Sequence, residues 1–342
     1  METGTVKRAY LLLAALLFTF FTAIKAEEPA PAAGPDPYDQ SKVPLEVDTQ
    51  DKNLTKIVLV AGNPSHGPNE HEFFAGCALL KKMLEQNPNV FVVMAKSGWP
   101  KNEAIFENAK CVVFYMDGRS GHPLGKEDRL TKFQKYIDQG CGFVNLHFAV
   151  DYTAEAGKTI VKWLGGYYDK EISINPTWMA DYKTFPEVPV TRGVKPFSIK
   201  DEWYYNMKWN EDPKGITPVL SAVPPDATRG TPDAKKYPGR AETTAWTYER
   251  ADGGRGYGMT GGHYHKNWGD ENFRRLTVNA ILWCAKVEIP KDGAKCDLKP
   301  EELMLCLDTK SKPKPKVPAP APAGEKKPEE TKAPEAKSAE TK

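Results

Sequence analysis

The chain runs to 342 residues, with 47 Lys and Arg set against 45 Asp and Glu for a formal net charge of +2. Near charge balance, with no compact Arg/Lys cluster carrying interleaved aromatics, argues against a nucleic-acid partner, whose phosphates need a basic groove. No nucleotide cofactor is expected.

Residues 1–26 open with Lys7 and Arg8, run apolar from Ala9 to Phe21 and reach a cleavage point after Ala26, the make-up of a signal peptide. The apolar run is too short for a membrane span, is soon followed by Lys25, and no cysteine follows that could take a lipid. Export to the periplasm or out of the cell, with no membrane span, is the expectation. Residues 27–53, rich in Pro, Ala and acids, and residues 311–342, a run of Lys, Pro, Ala and Glu, lack the apolar content to bury a core. They read as a disordered linker and tail.

Between them, residues 54–290 suffice for one α/β domain, followed by an extension over 291–310. Lys56 to Ala61 is a continuous apolar run and reads as a strand. Asn69 to Asn87 follows with Phe73, Cys77, Leu80 and Leu84 at helical spacing. Strands are predicted at Val90 to Ala95 and Cys111 to Met116. A helix over Lys126 to Gln139 presents Leu130, Phe133 and Ile137 on one face and stops at Gly140; Gly142 to Leu146 is the fourth strand. Residues 166–240 lose this rhythm and read as an irregular, aromatic-rich insertion. Strands return at Thr243 to Tyr248 and Gly256 to Thr260, and a helix from Glu271 to Ala285 closes the domain. Strands apolar on both faces, alternating with helices, predict a mainly parallel sheet with helices on both sides.

The six cysteines of an exported chain invite disulfides, yet Cys77, Cys111, Cys141 and Cys284 fall inside apolar patterns and read as core thiols. Cys296 and Cys306 are the pair whose bridge would close a short loop before the tail.

All six histidines lie at or just past the carboxyl ends of predicted strands: His66 and His71 after the first, His122 after the third, His147 ending the fourth, His263 and His265 after the last. Strand carboxyl ends share one rim in such sheets, and imidazole is suited to bind metal or move protons near neutral pH. Asn69 and Glu72 have capping-box spacing, which would set His71 in a first helical turn whose dipole keeps it neutral; a plain surface histidine fits the same spacing. His263 and His265, one residue apart, would point to the same side of an extended chain and suit chelation, or form a structural pair. His66 and His122 are loop residues that suit ligation or turn filling equally. Adjacent Asp201 and Glu202 would face opposite ways on a strand, so only one can face the rim. Asp117 could orient an imidazole, or simply fill the turn beside Gly118.

The ordered motifs SHGPNEHE at 65–72, YMDGRSGHP at 115–123, GCGFVNLHFAV at 140–150, DEWYYNM at 201–207 and GRGYGMTGGHYHKNW at 254–268 resemble the ThuA-like (trehalose-utilisation) family, its secreted branch in particular, over about residues 54–290. The resemblance implies a three-layer flavodoxin-like fold of the class I glutamine amidotransferase type. It implies a role in sugar catabolism, on disaccharides and their keto derivatives. In the amidotransferases a cysteine nucleophile follows the corresponding strand. Here His147 takes that place and Cys141 sits at the wrong end of the strand, so glutaminase chemistry is not expected. The family's acidic position matches Glu202.

Two readings follow. The first is an exported enzyme that hydrolyses, eliminates or isomerises a glycoside or keto-sugar, with His147, Glu202 and Asp117 as catalytic candidates. His66, His71, His122, His263 and His265 are candidate ligands for a divalent metal, zinc foremost, and Trp178, Trp203, Tyr204 and Trp268 are candidates to stack on the sugar. The second is a secreted carbohydrate-binding protein that turns nothing over. Serine-hydrolase and zincin chemistry lack their Gly-x-Ser-x-Gly and His-Glu-x-x-His motifs.

Overall fold

The computed structural model describes residues 34–310, so the signal-peptide and tail readings lie outside the described residues. The elements in chain order are β1 (Thr55–Ala61), α1 (Phe73–Leu84), β2 (Val90–Ala95), β3 (Cys111–Tyr115), α2 (Arg129–Asp138), β4 (Gly142–Leu146), α3 (Ala154–Leu164), β5 (Gly166–Tyr167), β6 (Thr177–Tyr182), β7 (Phe197–Glu202), β8 (Lys208–Trp209), β9 (Ile216–Ala222), β10 (Glu242–Glu249), β11 (Arg255–Met259) and α4 (Glu271–Cys284). Seven strands form the main sheet in the order β2-β1-β3-β4-β11-β10-β9. The first five run parallel, and β10 and β9 add an antiparallel edge. The parallel part has the flavodoxin-like order, whose ligand crevice lies where β1 and β3 diverge.

Alternation along each strand divides the core into two layers. Ile57, Leu59, Val113, Tyr115, Val144 and Leu146 pack on α1 and α4, while Val58, Val60, Val112, Phe114 and Phe143 pack on α2 and α3. That two-sided burial explains why the strands are apolar throughout. Thr153 caps α3 by accepting from the Ala156 amide at 3.3 Å, and Gly165 ends the helix at φ +83°. Asp270 caps α4 through the amides of Asn272 and Phe273 at 2.9 and 3.0 Å.

Three expectations need correction. The stretch read as an insertion is not wholly irregular, since β9 within it completes the main sheet beside β10. Its Pro218 and mixed polarity hide it from a periodicity search, as befits an edge strand. Residues 36–50, read as structureless, form a strap: the Glu46 carboxylate accepts from the amides of Lys101 and Asn102 at 2.9 Å each, and Lys56 pairs with Asp48 at 2.8 Å. The Glu46 amide also donates to the Met94 carbonyl at 2.8 Å, and Val43 and Leu45 pack against the core. Finally, Cys296 and Cys306 are free thiols, not a bridge.

The turn after β3 is jammed against the end of β4. A Cβ on Gly118 would stand 2.1 Å from the carbonyl oxygen of Phe148 and 2.6 Å from that of Asp151, both rigid backbone. Gly118→Ala is therefore expected to lower stability by about 1–3 kcal/mol, read from the denaturant midpoint, and an unchanged midpoint would show that the two turns can part freely.

Candidate functional site

The loop from β1 to α1 crosses the carboxyl rim and turns back at three non-glycine residues with left-handed backbone, His66 (φ 61°), Asn69 (φ 66°) and His71 (φ 47°). It is zipped to the loop after β11: the His71 amide donates to the His263 carbonyl at 2.9 Å and the His265 amide to the Asn69 carbonyl at 2.9 Å. His147 leaves β4 at φ 54° and opens a one-turn 3-10 helix, His147–Val150. Asp201 lies wholly buried on β7 and accepts from the amides of Gly262 and His263 at 2.7 and 3.0 Å and from Asn267 at 2.9 Å. Its neighbour Glu202 points the other way, as a strand requires.

These turns bring four donor atoms together. His71 Nε2 lies 2.9 Å from His263 Nδ1 and 3.0 Å from His147 Nε2. Glu202 Oε2 lies 3.2 Å from His263 Nδ1 and 3.5 Å from His147 Nε2. A tetrahedron with metal bonds of about 2.0–2.2 Å has edges of about 3.3–3.6 Å, close to this spacing.

The far nitrogens define the protonation. His147 Nδ1 donates to the Thr260 carbonyl at 2.8 Å, and His71 Nδ1 donates to Asp117 Oδ1 at 3.1 Å, with Ser65 Oγ bracing the same carboxylate at 2.9 Å. Both Nε2 lone pairs then face inward across 3.0 Å in a buried pocket. Burial, reinforced by neighbouring imidazoles, holds His71 and His147 far below the ordinary histidine range, so both stay neutral. Burial also opposes charge on His263, but the Glu202 carboxylate beside it outweighs that and raises its pKa. Glu202 is correspondingly lowered: its own burial is outweighed by the hydrogen bond and the charge of His263. A cation at the centre would meet all four donors, with the outer contacts to Asp117 and Thr260 fixing ring orientation as in established metal sites. The donor set fits a divalent ion.

Around the four stand Tyr204, whose hydroxyl is 3.3 Å from Glu202 Oε2 and 3.4 Å from His147 Nε2, and Asn175, which donates to Glu202 Oε1 at 3.1 Å. His66 is exposed and lies against His71 with ring centroids 3.6 Å apart; with His71 and Asp117 it forms a second, outer group of potential ligands.

Other candidates fall elsewhere. His265 turns away and donates to the Leu303 carbonyl at 2.7 Å. The chain past Tyr264 curls into a 3-10 turn, His265–Gly269, so the same-side rule for extended backbone does not hold. His122 is sealed in the α2/α3 layer, its Nε2 2.9 Å from the Tyr152 hydroxyl and its Nδ1 accepting from the Leu124 amide at 3.2 Å. Trp178, Trp203 and Trp268 are buried packing groups with no free ring face for a sugar. His71 precedes α1, which starts at Phe73, so burial and not the helix dipole keeps it neutral. Half of the anticipated capping box is nonetheless present, Glu72 Oε1 accepting from the Asn69 amide at 2.9 Å. Sequence reasoning missed Ser65, Asn175 and the anchoring role of Asp201. Ser65 and Asp201 adjoin residues singled out by motif; Asn175 sits in aperiodic sequence with no signal.

A flavodoxin-ordered α/β domain that gathers three histidines and a carboxylate at the carboxyl rim of its sheet is the class defined by this fold and site. The chain belongs to the ThuA family, described as trehalose utilisation, whose sequence pattern matches residues 57–284. Among solved structures it is similar to a ThuA-like protein of Parabacteroides merdae (19 % identity, 74 % of this chain and 99 % of that one, TM-score 0.52). It is also similar to one of Bacteroides uniformis (18 % identity, 72 % and 97 % coverage, TM-score 0.50). At such identities the likeness concerns the fold. No curated protein matches the chain. No helix among the described residues is long and apolar enough to cross a membrane.

Burial presses the His122 pKa down to about 3, below its unfolded value of 6.5. The folded state therefore rejects a proton that the unfolded state accepts, and the stability from neutral His122, complete above pH 6.5, drains as pH falls toward 3. Between pH 6.5 and 5 this amounts to about 2 kcal/mol. His122→Asn should lose correspondingly less stability than wild type over that interval in urea titrations; equal losses would contradict the assignment.

Proposed function

We propose that this protein is a metal-dependent enzyme of carbohydrate catabolism that takes a proton from the carbon beside the carbonyl of a keto-sugar or delivers one to a glycosidic oxygen, leading to elimination, isomerisation or hydrolysis. The observation that carries the proposal is the convergence of His71 Nε2, His147 Nε2, His263 Nδ1 and Glu202 Oε2, with the outer nitrogens of His71 and His147 already committed. His71, His147 and His263 would hold a divalent ion, zinc by its preference for imidazole in tetrahedral surroundings. When bound, that ion supplies a Lewis acid for a carbonyl or hydroxyl oxygen.

Glu202 is the group of the four that can reach substrate. Its side chain is 19 % exposed, against 0 % for His147 and 8 % for His263. Held as a carboxylate below its ordinary range and steadied by Asn175, it can accept a proton from the carbon next to a sugar carbonyl. Tyr204, whose burial keeps its hydroxyl protonated, stands at the same oxygen and can donate to charge growing on the substrate. The sugar class follows from membership in a family described as trehalose utilisation. Export is part of the proposal, on the charge and apolar pattern of residues 1–26.

Elemental analysis of zinc-replete, untagged protein should find one equivalent of metal per chain, lost in His71→Ala and His263→Ala and bound about 10–100-fold more weakly in Asp117→Asn. Glu202→Gln should retain the metal and lose turnover of 3-keto disaccharides by about 10²–10⁴. Metal-free wild type with undiminished turnover would overturn the proposal, and metal without turnover on any keto-sugar or glycoside would favour a binding protein.

A further inference from the structure

We infer that the C-terminal extension is a clasp that sets the position of the His71 imidazole, with Lys310 as its positioning residue; the functional meaning of the clasp rests on the metal-centre reading above. The loop carrying His71 needs such a device. Its left-handed turns at His66, Asn69 and His71 all fall on residues with a Cβ, a backbone conformation such residues disfavour, so surrounding contacts must hold the loop in shape.

Lys310 supplies those contacts from outside the domain. Its ammonium donates to the backbone carbonyls of Glu70 and His71 and lies 3.3 Å from Glu72 Oε1, so three donors meet three acceptors. The side chain is only 4 % exposed and Glu72 1 %, so removing the ammonium would leave buried acceptors without partners. Glu72 is the hub: Oε1 also accepts from the Asn69 amide at 2.9 Å, and Oε2 from the Asp308 amide at 2.8 Å. One buried carboxylate thus ties the ligand loop to the extension.

The extension is itself moored. His265 holds the Leu303 carbonyl at 2.7 Å, Gln40 donates to the Cys306 and Leu307 carbonyls at 3.2 Å each, and the Leu307 amide donates to the Pro37 carbonyl at 2.9 Å. The strap over 36–50 and the residues past 303 therefore act together. The family match ends at residue 284, and Lys310 stands 26 residues beyond it (310 − 284), so the clamp on a candidate ligand is built outside the family-defining region.

The test uses the full mature chain and zinc ion, titrated against a chromophoric chelator, together with amide hydrogen exchange of residues 66–73 in metal-free protein. Lys310→Met should weaken zinc binding by about tenfold or more, as loss of an outer support does, and accelerate exchange in that loop. Glu72→Gln should do the same, and serves if Lys310→Met does not fold. Lys82→Met, which removes the ion pair to Glu302 at the far side of the extension without touching the loop, should leave zinc affinity and loop exchange near wild type. The clasp is refuted if Lys310→Met binds zinc within twofold of wild type with unchanged loop exchange, or if Lys82→Met produces the same losses. Should wild type bind no zinc, the metal centre fails on its own account, and the exchange of residues 66–73 alone decides whether the clasp exists.

Discussion

Three imidazole nitrogens and a carboxylate oxygen are pressed together around His71 and His147, and that confrontation organises the rim of this molecule. Two lone pairs 3.0 Å apart repel unless something positive stands between or beside them. In the protein alone the nearest relief is the proton of His263, shared toward Glu202 at 3.2 Å. One proton cannot serve His71, His147 and Glu202 at once. Holding these polar atoms so close requires the scaffold to resist their relaxation.

The resistance comes from several directions. The parallel sheet brings His71, His147 and His263 to one edge, because β1, β4 and β11 run parallel and end on the same carboxyl rim. Left-handed backbone at His71 and His147 then turns both rings inward. Asp201 draws the amides of Gly262 and His263 onto a buried carboxylate whose pKa burial raises, and that carboxylate survives there because four donors surround it. Strain in the ligand loops is offset by this hydrogen bonding, a common division of labour between a site and its support.

The parallel half of the fold was legible because two-sided burial leaves unbroken apolar runs, and β2 and β4 begin and end where those runs do. The antiparallel edge strand β9 was not, since a half-exposed strand interrupted by Pro218 carries no run to detect. Of the histidines, His71, His147 and His263 were placed on the rim by their strand ends, whereas His122 and His265 share that sequence position and yet point into packing. The difference lies in backbone turns set by tertiary contacts, such as the Leu303 carbonyl that captures His265. Aromatic candidates failed for a related reason: Trp178, Trp203 and Trp268 fill space left by the irregular insertion, and composition cannot tell a packed indole from a waiting one. Tyr204 differs from Trp203 by a single step along the chain after β7, which turns its hydroxyl onto Glu202.

Glu202 comes from a separate two-stranded ribbon, β6 with β7, and not from the main sheet that carries the histidines. This matters for chemistry. A carboxylate mounted on the same rigid edge as the histidines would be fixed relative to them, whereas one delivered by an outlying ribbon reaches the cluster from its more exposed side. Its inner oxygen faces His263 and its outer oxygen is held by Asn175, so the carboxylate plane is set by the ribbon and its neighbouring loop. The histidines and the carboxylate are therefore built by different parts of the fold, and a change in the ribbon can shift the carboxylate without disturbing the histidine geometry.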